Sequence, residues 1–117
     1  MNQRLRILAV VTALFPATAF AHAMLDHASP KVGSLSPKAP HEVALWFTEN
    51  LEPAFSTIEV RNESGALVSS GKAHLGAGNE LRVPLKALGP GTYKVSWRVL
   101  SVDTHRTQGD FTFRVGQ

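Results

Sequence analysis

The residues best suited to chemistry are a histidine near the start of the chain and an Asp-x-His triplet near its end. His22 follows Ala19-Phe20-Ala21, a small-x-small pattern typical of signal-peptide cleavage, and the triplet is Asp103-Thr104-His105. Cleavage directly before His22 would give it a free α-amine, so this one residue would offer two nitrogen donors. With the triplet, the set is one amine, two imidazoles and one carboxylate, which suits a four-coordinate Cu(II) ion.

Residues 1–21 are predicted to be a secretory signal peptide. Arg4 and Arg6 form a basic start, and the apolar run 7–15 that follows is too short to span a bilayer. The mature domain, residues 22–117, is therefore expected to be exported to the periplasm and not embedded in the membrane. A rival cleavage after Ala23 would start the protein at Met24 and remove the N-terminal histidine.

Composition excludes several kinds of site. The chain has no cysteine, which removes the softest metal ligands and weighs against Cu(I), structural zinc and iron–sulfur centres. The formal net charge of +3 includes Arg4 and Arg6, which leave with the leader, so the mature domain is close to neutral. Because it also has no basic run, nucleic-acid binding has no support.

Alternating apolar residues predict a small all-β domain, either a β-sandwich or a Greek-key barrel. The clearest alternation lies in 42–48 and 92–101, and weaker runs lie in 55–61, 81–85 and 111–115. Pro84 predicts that its strand is an edge strand or ends there. Residues 30–40, rich in proline and glycine, predict a long irregular opening segment.

The predicted strands place the Asp-x-His triplet in the connection between the last two, roughly residues 102–108. Residues two apart in an extended segment project to the same side, so Asp103 and His105 are expected to face one point. His22 would complete the site if the start of the mature chain runs beside this loop. Zinc accepts the same ligand types but prefers a tetrahedral arrangement. Alternatively, Asp103 only caps the turn.

Several of these segments together resemble the CopC family of periplasmic copper-resistance proteins. The matching segments cover nearly the whole mature chain and are 20–23, 29–30, Gly33, 39–40, 43–49, 91–105 and 109–115. The most specific is the block Tyr93-x-Val-x-Trp-Arg-Val followed by the Asp-x-His triplet.

The resemblance implies a seven-stranded Greek-key β-barrel of immunoglobulin-like topology. It implies a Cu(II) site formed by His22, through its amine and ring, with Asp103 and His105. It also implies that Glu49 orients a ligand from close by, and that copper passes to an inner-membrane partner of the CopD type. The protein is expected to be a monomer that buffers or delivers copper and not an enzyme.

The chain departs from those family members that carry a methionine-rich Cu(I) loop. Residues 62–79 contain no methionine, and the only methionines are Met1 and Met24, so a Cu(II)-only site is expected. His74 lies in this stretch and is interpreted as a solvated loop residue. His27 lies five residues after His22 and is kept as a possible auxiliary ligand.

Two other functions remain open from the sequence. A copper-dependent polysaccharide monooxygenase also uses an N-terminal histidine, but its domains are larger and leave a coordination position open for oxygen. An immunoglobulin-like interaction module, with incidental histidines, is the second alternative. A mature protein that starts at Met24 would favour this module.

Overall fold

The computed structural model describes residues 23–116, which fold into eight strands and one short 3₁₀ turn. The 3₁₀ turn spans Pro53–Phe55. The strands are β1 (Leu25–Ser29), β2 (Leu35–Ser36), β3 (Glu42–Phe47), β4 (Thr57–Arg61), β5 (His74–Leu75), β6 (Glu80–Pro84), β7 (Gly91–Leu100) and β8 (Arg106–Val115). The predicted leader, residues 1–21, and His22 lie outside the described residues.

The strands form two four-stranded sheets that face each other. One sheet has the order β1-β3-β6-β5 and the other β2-β8-β7-β4. All pairs are antiparallel except β2 with β8. The expected all-β sandwich is confirmed. The described part of the chain has eight strands where the resemblance implied seven, and two of the eight, β2 and β5, are only two residues long.

The core lies between the two sheets and is built by alternate residues of the long strands. Val43, Leu45 and Phe47 of β3 are almost completely buried, as the alternation predicts. Tyr93, Val95, Trp97 and Val99 of β7 pack against them from the other sheet. Since the chain has no cysteine, this apolar packing holds the sandwich together without disulfides.

One glycine shapes the core near the candidate site. Trp97 pairs across the sheet with Gly109, and a β-carbon on Gly109 would lie 2.6 Å from Cζ2 of the indole. The absence of that β-carbon leaves room for the indole, which meets the ring of Phe47 edge to face with centroids 5.1 Å apart. Gly109 therefore sets the position of the largest side chain under the β7–β8 end.

Three details of the sequence prediction are wrong. β8 begins at Arg106, so the connection after β7 is only residues 101–105. Phe55 belongs to the 3₁₀ turn and is 60% exposed instead of continuing a strand. The segment 30–40, predicted to be irregular, contains the two-residue strand β2. The prediction for Pro84 is correct in one of its two forms, because Pro84 ends β6, which is an internal strand between β3 and β5.

Three parts of the chain meet at one end of the sandwich: the start of β1, the end of β3 and the β7–β8 loop. Leu51 bridges to Ser101, and Met24 bonds to Thr48, so the ends of β3 and β7 and the beginning of the described chain are tied together. This end carries the candidate site. Within residues 23–116 the structure contains no helix with the length and apolarity needed to cross a membrane.

Candidate metal centre

The loop between β7 and β8 is a tight turn closed at its base by backbone hydrogen bonds. The Thr104 N–H donates to the Ser101 carbonyl at 2.8 Å, and the Ser101 N–H donates to the His105 carbonyl at 3.0 Å. Thr104 has φ of 72°, in the left-handed region that a side chain with a branched β-carbon rarely adopts. The expectation of an extended backbone between Asp103 and His105 is therefore wrong.

The turn nevertheless brings the two predicted side chains together. The Asp103 Oδ1 atom lies 3.3 Å from Nδ1 of His105, and both side chains are partly exposed, at 36% and 45%. A neutral imidazole that donates its Nδ1 proton presents Nε2 as its lone-pair nitrogen, the form in which a histidine ligates a metal. The pair is thus arranged as a carboxylate and an oriented imidazole on one loop.

The side chain of Ser101 holds the carboxylate of Asp103 through a hydrogen bond. The Ser101 hydroxyl, on a completely buried residue, donates to Oδ1 of Asp103. This hydrogen bond is the main cause that lowers the pKa of Asp103 below its ordinary value; the contact with His105 lowers it further, and partial desolvation opposes both. Asp103 therefore stays ionised to lower pH than a free aspartate and remains available as an anionic donor.

The start of the described chain is fixed beside the same loop. Ala23 is completely buried, and its carbonyl accepts a hydrogen bond of 2.7 Å from Oγ1 of Thr107, two residues beyond His105. Met24 donates its N–H to Oγ1 of Thr48 at 2.9 Å and accepts the Thr48 N–H at 2.9 Å. The residue that follows His22 is thus anchored between the end of β3 and the start of β8.

Glu49 lies in the segment 48–52 that links β3 to the 3₁₀ turn. Its neighbour Thr48 is bonded to Met24, and its other neighbour, Asn50, accepts the N–H of Val102 at 3.0 Å. The backbone of Glu49 is therefore fixed between the start of the described chain and the residue that precedes Asp103. The role expected for Glu49, as an acidic neighbour that orients a ligand, stays a prediction.

The other histidines have different surroundings. His27 lies on β1, bonds through Nδ1 to Asp26 at 2.8 Å, and stacks on the indole of Trp46 with centroids 4.4 Å apart. His74 lies on β5 and pairs in register with Arg82. Asp26 and Trp46 thus occupy one nitrogen and one ring face of His27, and His74 belongs to a two-residue strand instead of the predicted loop.

Among the residues from 23 to 116, no three histidine, cysteine, aspartate or glutamate side chains converge on one point. Asp103 and His105 supply one carboxylate and one imidazole, and further donors must join them to hold a metal. The amine and ring predicted for His22 would add two nitrogens, because the chain enters the described region at Ala23, beside Thr107.

Sequence reasoning missed three residues that position this end: Ser101, Thr107 and Thr48. Each acts through one hydroxyl on a group several residues away in the chain or on another strand. A serine two residues before the aspartate of an Asp-x-His triplet was the one available signal, since short polar side chains bond to nearby turn residues. Thr107 and Thr48 carry no such local signal.

The chain is similar to several known copper-resistance proteins. The sequence model of the CopC domain family matches residues 25–116 of this chain. Copper resistance protein C from Xanthomonas campestris pv. juglandis is 38% identical over 117 residues, which cover 93% of this chain and 91% of that protein. The crystal structure of CopC from Methylosinus trichosporium OB3b superposes with a TM-score of 0.76 at 35% identity, covering 81% of this chain and 94% of that one.

A second solved relative is PcoC, a methionine-rich copper resistance protein from Escherichia coli. It superposes with a TM-score of 0.72 at 33% identity, covering 81% of this chain and 99% of that one. These relatives and the β-sandwich fold place the chain in the class of small copper-resistance proteins. The chain belongs to the CopC family, a family of copper-binding and copper-resistance proteins.

Proposed function

We propose that the protein binds one Cu(II) ion in the periplasm and either buffers it or delivers it to a membrane partner of the CopD type. The proposed ligands are the amine and ring of His22, the carboxylate of Asp103 and the imidazole of His105. The observation that carries the proposal is the hydrogen bond from Thr107 to the carbonyl of Ala23. It fixes the start of the described chain two residues from His105.

The chemistry of these donors favours Cu(II). Three nitrogens and one carboxylate suit a tetragonal Cu(II) site, and Cu(II) has the highest affinity of the divalent first-row metals for such donors. Thioether sulfur is the ligand type that favours Cu(I), and residues 62–79 contain no methionine. The methionine-rich relative PcoC differs in this respect.

The protonation of the donors sets the pH range of binding. The pKa of Asp103 is lowered by the Ser101 hydroxyl, so this carboxylate is ionised at every pH at which the nitrogens are available. A nitrogen must be deprotonated to bind a metal, so protons compete with copper for the amine and imidazole donors. Copper affinity should therefore fall as the pH is lowered, because the nitrogen donors are protonated.

The test is Cu(II) titration of the mature protein that begins at His22, in competition with a chelator of known affinity. His105→Ala and His22→Ala should each weaken binding by at least about 100-fold, because even groups that only orient a metal ligand contribute roughly 10- to 100-fold. His74→Ala and His27→Ala, which remove histidines outside the proposed ligand set, should bind as the wild type does.

A protein with one alanine added before His22 isolates the amine. The addition converts the α-amine into an amide and leaves the ring in place, so the affinity and the visible spectrum of the copper complex should both change. Unchanged affinity and spectrum would refute the N-terminal chelate. A loss of affinity in His27→Ala as large as that in His105→Ala would make His27 a ligand and overturn the proposed set.

A further inference from the structure

We infer that Ser101 is a positioning residue for copper: its buried hydroxyl holds the carboxylate of Asp103 in the direction that ligation requires. The inference rests on the proposed function and assigns a role to a residue that is not itself a ligand. It follows from the geometry of the loop 101–105.

Ser101 is the point at which the loop is fixed to the fold. The residue is completely buried directly after β7 and bridges to Leu51, in the segment that follows β3. Its backbone N–H donates to the His105 carbonyl at 3.0 Å, and its carbonyl accepts the Thr104 N–H at 2.8 Å. Both ends of the turn are therefore bonded to one buried residue.

The hydroxyl of Ser101 adds the link to the side chains. It donates its one proton to Oδ1 of Asp103, and its oxygen accepts the N–H of His105 at 3.3 Å. The same Oδ1 atom contacts Nδ1 of His105. Oδ1 is thus engaged by the protein, which restricts the orientation of the carboxylate, and we assign the other oxygen, Oδ2, to the copper ion.

This arrangement matters because the Asp103 side chain is about one-third exposed to solvent. A solvated carboxylate loses conformational entropy when it ligates a metal, and a residue that holds it beforehand removes that cost. Partners that orient a metal ligand typically contribute roughly 10- to 100-fold in affinity. Ser101 is placed to supply this contribution without contacting the metal.

The test compares Ser101→Ala with Ser69→Ala. Ser69 is a matched control because it too is buried and its hydroxyl oxygen accepts a backbone N–H, that of Val60 at 3.1 Å, on a part of the sandwich that lacks the loop. Ser101→Ala should weaken Cu(II) binding by roughly 10- to 100-fold, as expected for loss of an orienting partner. Ser69→Ala should bind copper with an affinity within about twofold of the wild type, because substitutions at distant sites with no shared partners act independently to about this precision.

A double-mutant cycle with Asp103→Ala shows whether Ser101 acts through the carboxylate. In the Asp103→Ala background, Ser101→Ala should change copper affinity by no more than about twofold, because the group it positions is gone. An equal loss in both backgrounds would mean that Ser101 only maintains the fold, and would overturn the inference. Thermal unfolding of each variant confirms that titrations are made on folded protein.

Two further readouts separate the possible results. The electron paramagnetic resonance spectrum of the copper complex should change in Ser101→Ala and not in Ser69→Ala, since only the former frees a ligand. In the metal-free protein, amide chemical shifts should move at 103–105 in Ser101→Ala. Wild-type affinity and spectrum in Ser101→Ala would overturn this inference alone, whereas a wild type that binds no Cu(II) would refute the proposed function as well.

Discussion

At the scale of single residues, the candidate site depends on hydroxyl groups as much as on its ligands. Ser101 reaches Asp103, Thr107 reaches Ala23, and Thr48 bonds to Met24. The proximity of Asp103 and His105 could be predicted from the sequence because one residue separates them in a short connection between strands. The hydroxyl partners could not, because each bond depends on how β1, β3 and β8 approach one another.

Thr107 gives the sharpest prediction at this scale. Thr107→Val keeps the shape of the side chain but removes the donor to the Ala23 carbonyl, so the chain start is held less firmly beside His105. A hydrogen bond contributes about 0.5–1.5 kcal/mol, so copper affinity should fall by about two- to tenfold. Chelator competition with purified mature protein measures this change.

The control for that prediction is Thr112→Val, on an exposed threonine of the same strand. It changes the same chemical group without touching the chain start, and its copper affinity should equal that of the wild type. Equal affinities for Thr107→Val and Thr112→Val would show that the anchoring of Ala23 does not contribute to binding.

At the scale of elements, strands with a clean alternation could be predicted and strands without one could not. β3 and β7 alternate because one face of each fills the core. The first half of β8 does not, because its inward positions are Thr107, which bonds to Ala23, and Gly109, which makes room for Trp97. β1 was missed because it is an edge strand in which only Ala28 is buried.

Gly109 supplies a prediction for the β7–β8 pair. In Gly109→Ala the new β-carbon would lie 2.6 Å from Cζ2 of Trp97, so the indole must shift from its contact with Phe47. Overpacking of this kind typically costs about 1–3 kcal/mol, which exceeds the gain of about 0.4–1 kcal/mol from a less flexible unfolded chain. Urea unfolding should therefore show a lower free energy of unfolding.

Gly89→Ala is the matched control, because a β-carbon at Gly89 would have no atom within 4 Å and its φ is not in the left-handed region. It should be neutral or slightly stabilising. If the two variants unfolded at the same urea concentration, the close approach of Trp97 to Gly109 would not determine the packing of this end.

At the scale of the whole molecule, the site joins segments that are distant in sequence. Ala23 and Thr107 are separated by nearly the whole described chain, and their hydrogen bond ties its first strand to its last. Sequence alone could predict the sandwich, because its core pattern is local to each strand. It could not predict this junction, because no local pattern records which strand ends meet.

Copper should therefore stabilise the entire fold. A ligand present at 100 times its dissociation constant stabilises the native state by about 2.7 kcal/mol. For a domain of this size, each kcal/mol raises the midpoint temperature of thermal unfolding by about 4–8 °C. Thermal unfolding of the protein that begins at His22 should thus show a rise of about 10–20 °C with Cu(II). His105→Ala should show a much smaller rise at the same copper concentration, and an equal rise would point to binding elsewhere.

The direction of β8 has a practical consequence for locating the ion. This strand starts beside the loop at Arg106 and runs ten residues to Val115, a span of about 33 Å at 3.3 Å per residue. Because the chain has no cysteine, Gly116→Cys would give a unique attachment point for a nitroxide, where a β-carbon meets only ordinary contacts. The dipolar coupling between that radical and a paramagnetic Cu(II) would then report, without a crystal, at which end of the sandwich the metal resides.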